Sequence, residues 1–168
     1  MARSIALYGR TGSGKSTIAH IFEERGYQHL RTGLACRTLC LDLFGAESKT
    51  LMNQVTDALR AIDPSVWLRA ALRHAASGPI VFDSMRFPQD YVYLRDQGYL
   101  LVKVVSRQSI RLQRLDDRGQ EYTPHRDDVH DAEIALDSYN FDYSIENSGE
   151  FSTLQQQVAA LLDEPRTD

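Results

Sequence analysis

Short apolar runs alternate with segments of helical spacing along most of the chain. Ser4 to Tyr8 is an apolar run of strand formers that leads straight into the glycine-rich stretch Gly9 to Ser16, which predicts a strand feeding a loop. From Ser16 the apolar positions Ile18, Ala19, Ile21 and Phe22 recur at helical spacing, and Gly26 supplies a stop. Tyr27 to Thr32 reads as a second strand, Leu34 to Phe44 and Lys49 to Ile62 as helices parted by Gly45, and Val66 to Ala75 as a helix opened by Pro64. Ile80 to Phe82 and Leu100 to Val105 are buried-strand runs with the helical segment Gln89 to Gln97 between them. Ser109 to Arg118 reads as a helix, Gly119 to Asp128 as a polar loop, and His130 to Asp137 as another helix. Tyr143 to Ile145 is a last strand, Leu154 to Leu162 a terminal helix, and residues 163–168 a flexible tail. Five strands separated by helices imply an α/β fold, a parallel sheet covered by helices on both faces.

Length and composition narrow the class. A chain of 168 residues predicts one domain, 1–168, and hydrophobic and charged fractions of 42% and 25% exclude disordered, collagen-like and coiled-coil classes. The net charge of -4 removes any global positive field for holding nucleic acid, so a small-molecule partner is favoured over a polynucleotide. No apolar run has the length of a membrane span or a signal peptide, which predicts no membrane partner and a cytoplasmic location. Cys36 and Cys40 lack the spacing of a metal site or disulfide framework and read as reduced core thiols.

Gly9 to Ser16 matches G-x-x-x-x-G-K-[ST] at every defined position, with a predicted strand before it and a helix after it. That context matters because loop N–H groups and the positive end of the helix must converge on phosphate oxygens. Gly12, Ser13, Gly14, Lys15, Ser16 and Thr17 are therefore the expected phosphate-binding residues. Lys15 is expected to reach the β- and γ-phosphates of ATP, and Ser16 to ligate Mg²⁺. The guanine-reading N-K-x-D of GTPases occurs nowhere in the sequence.

Three further groups point to phosphoryl transfer. They are Arg31 to Arg37, Phe82 to Pro88, and the arginines Arg111, Arg114 and Arg118. Thr32-Gly33 with Arg37 resembles the T-G-x-x-x-R acceptor segment of adenylate kinases, with Leu34 where those proteins carry aspartate. Asp63-Pro64-Ser65-Val66-Trp67, Asp83 to Asp90, His130-Asp131-Ala132-Glu133 and Ile145 to Gly149 resemble, in order, segments of the phage-type deoxynucleoside monophosphate kinases. The last segment is also similar to dephospho-coenzyme A kinases. The resemblance spans Ile5 to about Leu162 and implies a P-loop NTPase of three-layer αβα architecture with a short lid at about 115–130.

It also implies roles. Lys15, Asp83, Arg114 and Arg118 are the expected catalytic groups, with Asp83 at the C-terminal end of its strand holding Mg²⁺ through water or orienting the acceptor. Arg114 and Arg118 lie four apart on one helical face, though Arg107 and Arg111 compete for the inward position. Thr32, Arg37, Arg86, His130 and Glu133 are expected on the acceptor side, and Arg111 and Asn147 on the adenine side. The expected reaction moves a phosphoryl group from ATP to a deoxynucleoside monophosphate, whose base is open to modification. The alternatives are transfer to a hydroxyl, on a dephospho-coenzyme-A-like molecule or a hydroxymethylated base, and a nucleotide-binding regulator.

Overall fold

The computed structural model describes residues 2–120 and 122–163. Five parallel strands, β1 (Ile5–Tyr8), β2 (Gln28–Leu30), β3 (Ile80–Phe82), β4 (Leu100–Val105) and β5 (Tyr143–Glu146), form one sheet in the order β2-β3-β1-β4-β5. β1 is central, paired with β3 through Ile5 and Val81 and with β4 through Ile5 and Leu100. Its four residues are all buried, as expected of a strand covered on both faces.

Strand alternation divides the core in two. Ile5, Leu7, Val81, Val102 and Ile145 face α1 (Lys15–Glu23) and α9 (Phe151–Asp163), packing on Ile18, Phe22, Leu154 and Val158. Ala6, Tyr8, Phe82 and Leu101 face the other side, where α4 (Val66–Leu72) contributes Leu68 and α5 (Pro88–Asp96) contributes Tyr91 and Leu94. The result is a three-layer αβα architecture around a five-stranded parallel sheet. A third cluster joins α2 (Thr32–Phe44), α3 (Lys49–Ile62) and α4 around Cys36, Cys40 and Trp67. Both cysteines are free and buried there. This helical lobe stands beside the C-terminal ends of β2 and β3, with Arg31 between β2 and α2.

Several boundaries differ from the sequence reading. Thr32 opens α2 instead of ending β2, and α4 stops at Leu72 instead of Ala75. The segment read as polar loop contains the short helix α7 (Pro124–Asp127), which follows α6 (Gln108–Asp116). Pro124 occupies its first turn, and the Asp127 carboxylate accepts the Thr123 N–H at 2.6 Å, closing the helix start. The following helix, α8, is shorter than read, covering Asp131–Ile134. At the C-terminus α9 continues through Asp163, and the rest of the segment read as a tail, 164–168, lies outside the described residues. No helix among the described residues is long and apolar enough to cross a membrane.

Candidate active site

The loop between β1 and α1 takes a path that only glycine permits at two points. Gly12 and Gly14 have φ of 81° and 95°, in the left-handed region. A Cβ on Gly14 would also overlap the Asn147 amide, which donates to the Ser13 carbonyl at 2.8 Å. Gly14 is the N-cap of α1, so the first-turn N–H groups of Lys15, Ser16 and Thr17 have no acceptor within the helix. They border a cavity of about 250 Å³ shared with Gly12, Asp83, Arg86 and Arg118. A phosphate chain seated there would meet those groups and the positive end of the helix together.

Lys15 is buried and folded back onto its own loop, donating to the Gly9 carbonyl and, at 3.2 Å, to that of Arg10. Burial, with the nearby Arg86 charge, pulls its ammonium down to about 7 against the opposing effect of Glu133 and Asp83. Ser16 Oγ donates to Asp83 Oδ2 at 3.0 Å, and Ser84 Oγ donates to Asp83 Oδ1 at 2.9 Å. Burial works against the Asp83 charge, but His29, Ser84 and Ser16 hold the carboxyl below the usual carboxylate range. A hydroxyl and an ionised carboxylate beside a phosphate-sized cavity are hard oxygen donors, so Ser16 and Asp83 fit the Mg²⁺ expected from the sequence.

Next to this cavity lies a larger one, of about 420 Å³, between the sheet edge and the α2–α4 lobe. Thr32, Arg86, His130 and Glu133, four of the residues expected on the acceptor side, border it together with Trp67, Phe87 and Arg60. The Arg60 guanidinium stands 3.5 Å over the Phe87 ring. Arg86 is shared by both cavities and donates to Glu133 Oε1 at 2.7 Å. Glu133 in turn accepts from Thr11 N and Thr11 Oγ1, both at 2.6 Å, so this carboxylate ties the acceptor side to the glycine loop.

Four residues stand elsewhere than the sequence suggested. Arg37 is on the exposed face of α2, paired with Glu47 at 2.9 Å and away from both cavities. Arg60, on the half-buried side of α3 with Met52 and Thr56, borders the larger cavity where Arg37 does not. Arg111, expected on the adenine side, is buried and borders neither cavity; it donates to the Thr11 carbonyl at 2.9 Å and pairs with Asp128 at 2.8 Å. Arg114 and Arg118 also part company. Arg118 opens on the phosphate cavity, while Arg114 braces the loop from behind through Gly12 O, Ser106 Oγ and Asn147 Oδ1 at 3.3–3.4 Å. Asn147 likewise contacts the loop backbone and borders neither cavity.

The Arg111–Asp128 pair fastens the segment after α6 to the glycine loop, and Asp128 also accepts from Tyr122 and Gln108. Removing one partner of a buried pair strands the other charge, which typically costs about 3–5 kcal/mol. Asp128→Ala is therefore expected to lower Tm by roughly 6–20 °C in a thermal melt. Asp83, Glu133 and Asp128 all have carboxyls held below their ordinary values. Their stabilisation is full above the unfolded-state value near ~4 and is lost as pH falls through the lower folded values. An acid titration of Tm should thus show a shallower decline in Asp128→Ala than in the wild type.

The fold has counterparts among solved structures. A gluconokinase from Sinorhizobium meliloti 1021 superposes with a TM-score of 0.58 at 19% identity, covering 96% of this chain and 94% of that one. Deoxyadenosine kinase from M. mycoides, solved with the products dCMP and dCDP, gives 0.56 at 15% identity, covering 95% and 98%. TT1252 from Thermus thermophilus gives 0.59 at 17%, covering 96% of each chain. No curated protein sequence matches the chain. The family model described as an AAA domain matches residues 5–135, more than half of the length, and by that match the chain belongs to the AAA domain family.

Proposed function

We propose that the chain is an ATP-dependent phosphotransferase whose acceptor is a nucleoside monophosphate. The observation that carries this reading is the position of Arg86 on the wall between a phosphate-sized cavity and a base-sized one. Kinases among the similar folds support phosphoryl transfer as the reaction class. The order of short segments resembling phage-type deoxynucleoside monophosphate kinases supports the acceptor.

In this reading the β- and γ-phosphates of ATP occupy the smaller cavity, held by the first-turn N–H groups of α1 and by Lys15. Mg²⁺, where bound by Ser16 and Asp83, supplies neutralisation of negative charge on the phosphate oxygens. The acceptor's base lies in the larger cavity against Trp67 and the Arg60–Phe87 stack, with its phosphate toward Arg86. A phosphate monoester is mostly ionised at neutral pH, so its oxygen attacks without a strong general base. Arg86 then orients the nucleophile, while Lys15 and Arg118 meet charge on the transferring group. The segment at about 115–130, tied down through Asp128, serves as the short lid.

Lys15 gives this reading a proton signature. Its ammonium sits near 7 when buried without a phosphate, and a phosphate chain beside it restores it toward the ordinary 10.5. Between these values nucleotide binding must take up a proton. Calorimetric titration of ATP at about pH 8.5 in buffers of different ionisation enthalpy should show net uptake approaching one proton, absent in Lys15→Ala. Release, or no exchange, would contradict phosphate contact at Lys15.

Trp67 is the single tryptophan, and it lines the larger cavity. Its fluorescence should respond to a nucleoside monophosphate at concentrations at least about tenfold below those needed for the parent nucleoside, the factor expected of one charge-assisted contact. Equal responses would count against phosphate recognition on the acceptor side.

A further inference from the structure

On the α1 face of the sheet edge, behind Asp83, stands a group of side chains that phosphoryl transfer does not use. His20 and Glu23 lie three apart on the last turns of α1, facing His29 on β2. β2 pairs with β3 so that His29 is opposite Val81. Side chains two apart on a strand share a face, so His29 and Asp83 come together diagonally. The His29 side chain is only 2% exposed, with Nε2 2.9 Å from Asp83 Oδ2 and Nδ1 3.5 Å from Glu23 Oε2. Neither ring nitrogen makes a well-directed hydrogen bond with these neighbours, an unusual condition for a buried imidazole.

We propose that His20, Glu23 and His29 form a site for a divalent transition-metal ion of the zinc class, linked through His29 to Asp83. One donor atom from each of the three lies within 4.8 Å of the others. The two imidazole rings stand 5.8 Å apart at 85°, so they converge on the intervening space from different directions. Zinc bonds of about 2.0–2.2 Å need donors roughly 3.4 Å apart. The remaining closure falls to His20 and Glu23, which are already paired with each other and whose side chains are 65% and 39% exposed. Two imidazole nitrogens and one carboxylate are the donor set of an open zinc site, with water completing the coordination. Nitrogen donors also favour transition ions over Mg²⁺ and Ca²⁺.

An ion on Nδ1 of His29 leaves the ring proton on Nε2, the atom that faces Asp83. A small rotation of the ring would aim that proton at Asp83, 2.9 Å away, giving a carboxylate–histidine–metal arrangement in which Asp83 orients the ligand and raises its basicity. The same carboxylate is the one assigned above to Mg²⁺, so occupancy of this rear site biases a group in the phosphate cavity. That consequence for turnover rests on the proposed kinase reading; the metal site itself does not.

The test is a binding measurement on the full chain, stripped with chelator, that requires no turnover. Zn²⁺ titrated against a chromophoric chelator should bind at one ion per chain, and Co²⁺ should give the visible absorption of a four- or five-coordinate site. His20→Ala and Glu23→Gln, both at exposed positions, should each weaken binding by at least about tenfold. Asp83→Asn should weaken it by about 10–100-fold, which an isolated surface cluster would not show. Absence of saturable binding, or binding unchanged in His20→Ala and Glu23→Gln, would overturn the site. Binding unchanged in Asp83→Asn would overturn its link to the phosphate cavity.

Discussion

Lys15→Ala is expected to lower ATP-dependent phosphoryl transfer by at least about 1000-fold, the loss of roughly 4 kcal/mol of charge stabilisation in a water-poor site. The size follows from burial. Lys15 is enclosed by the loop and faces the cavity that holds the phosphates in this reading, so no solvent cation replaces it without reorganisation. The fold should survive. Alanine gives up hydrogen bonds to the Gly9 and Arg10 carbonyls but also removes an ammonium whose charged form is disfavoured by burial. These effects oppose each other, so Tm should change little. Steady-state ADP release together with circular dichroism checks both halves, and turnover within about threefold of wild type would refute the role given to the loop.

Arg86→Lys is expected to raise the KM for the monophosphate acceptor by about tenfold or more while ATP affinity stays within about threefold. Lysine keeps the positive charge but loses the planar fork that now engages Glu133 at 2.7 Å and faces both cavities. A charge-assisted bidentate contact is worth more than a point charge at the same place. The neutral partner test is Asp83→Asn, which should depress Mg²⁺-dependent turnover without moving acceptor KM. An unchanged acceptor KM in Arg86→Lys would place the acceptor's phosphate elsewhere.

The parts of the molecule governed by local pattern were legible in the sequence. Ile80–Phe82 and Lys49–Ile62 coincide with their predicted limits because a short apolar run and a capped amphipathic stretch each admit one solution. The glycine loop was legible for the same reason: Gly12 and Gly14 adopt backbone conformations that the motif exists to supply. Placement of cations was not. Arg37 and Arg60 both sit on helices of the same lobe, and which one faces the cavity depends on how α2 and α3 turn against α4. Arg111 is claimed by Asp128, a partner 17 residues away across an irregular connection. His29 gave no sequence signal because its meeting with Asp83 is made by strand register across a parallel pair. The proline and acidic residue of α7 were readable as a helix start, but the polar composition around them suggested a loop.

The most direct measurement is coupled ADP release by the purified chain, with Mg²⁺-ATP and each acceptor in turn: all ribo- and deoxynucleoside monophosphates, the matching nucleosides, dephospho-coenzyme A, and oligonucleotides carrying hydroxymethylated bases. The account predicts acceptor-dependent release with at least one nucleoside monophosphate, far above its nucleoside, and formation of the corresponding diphosphate. Phosphorylation of hydroxyl acceptors while every monophosphate stays inert would contradict it.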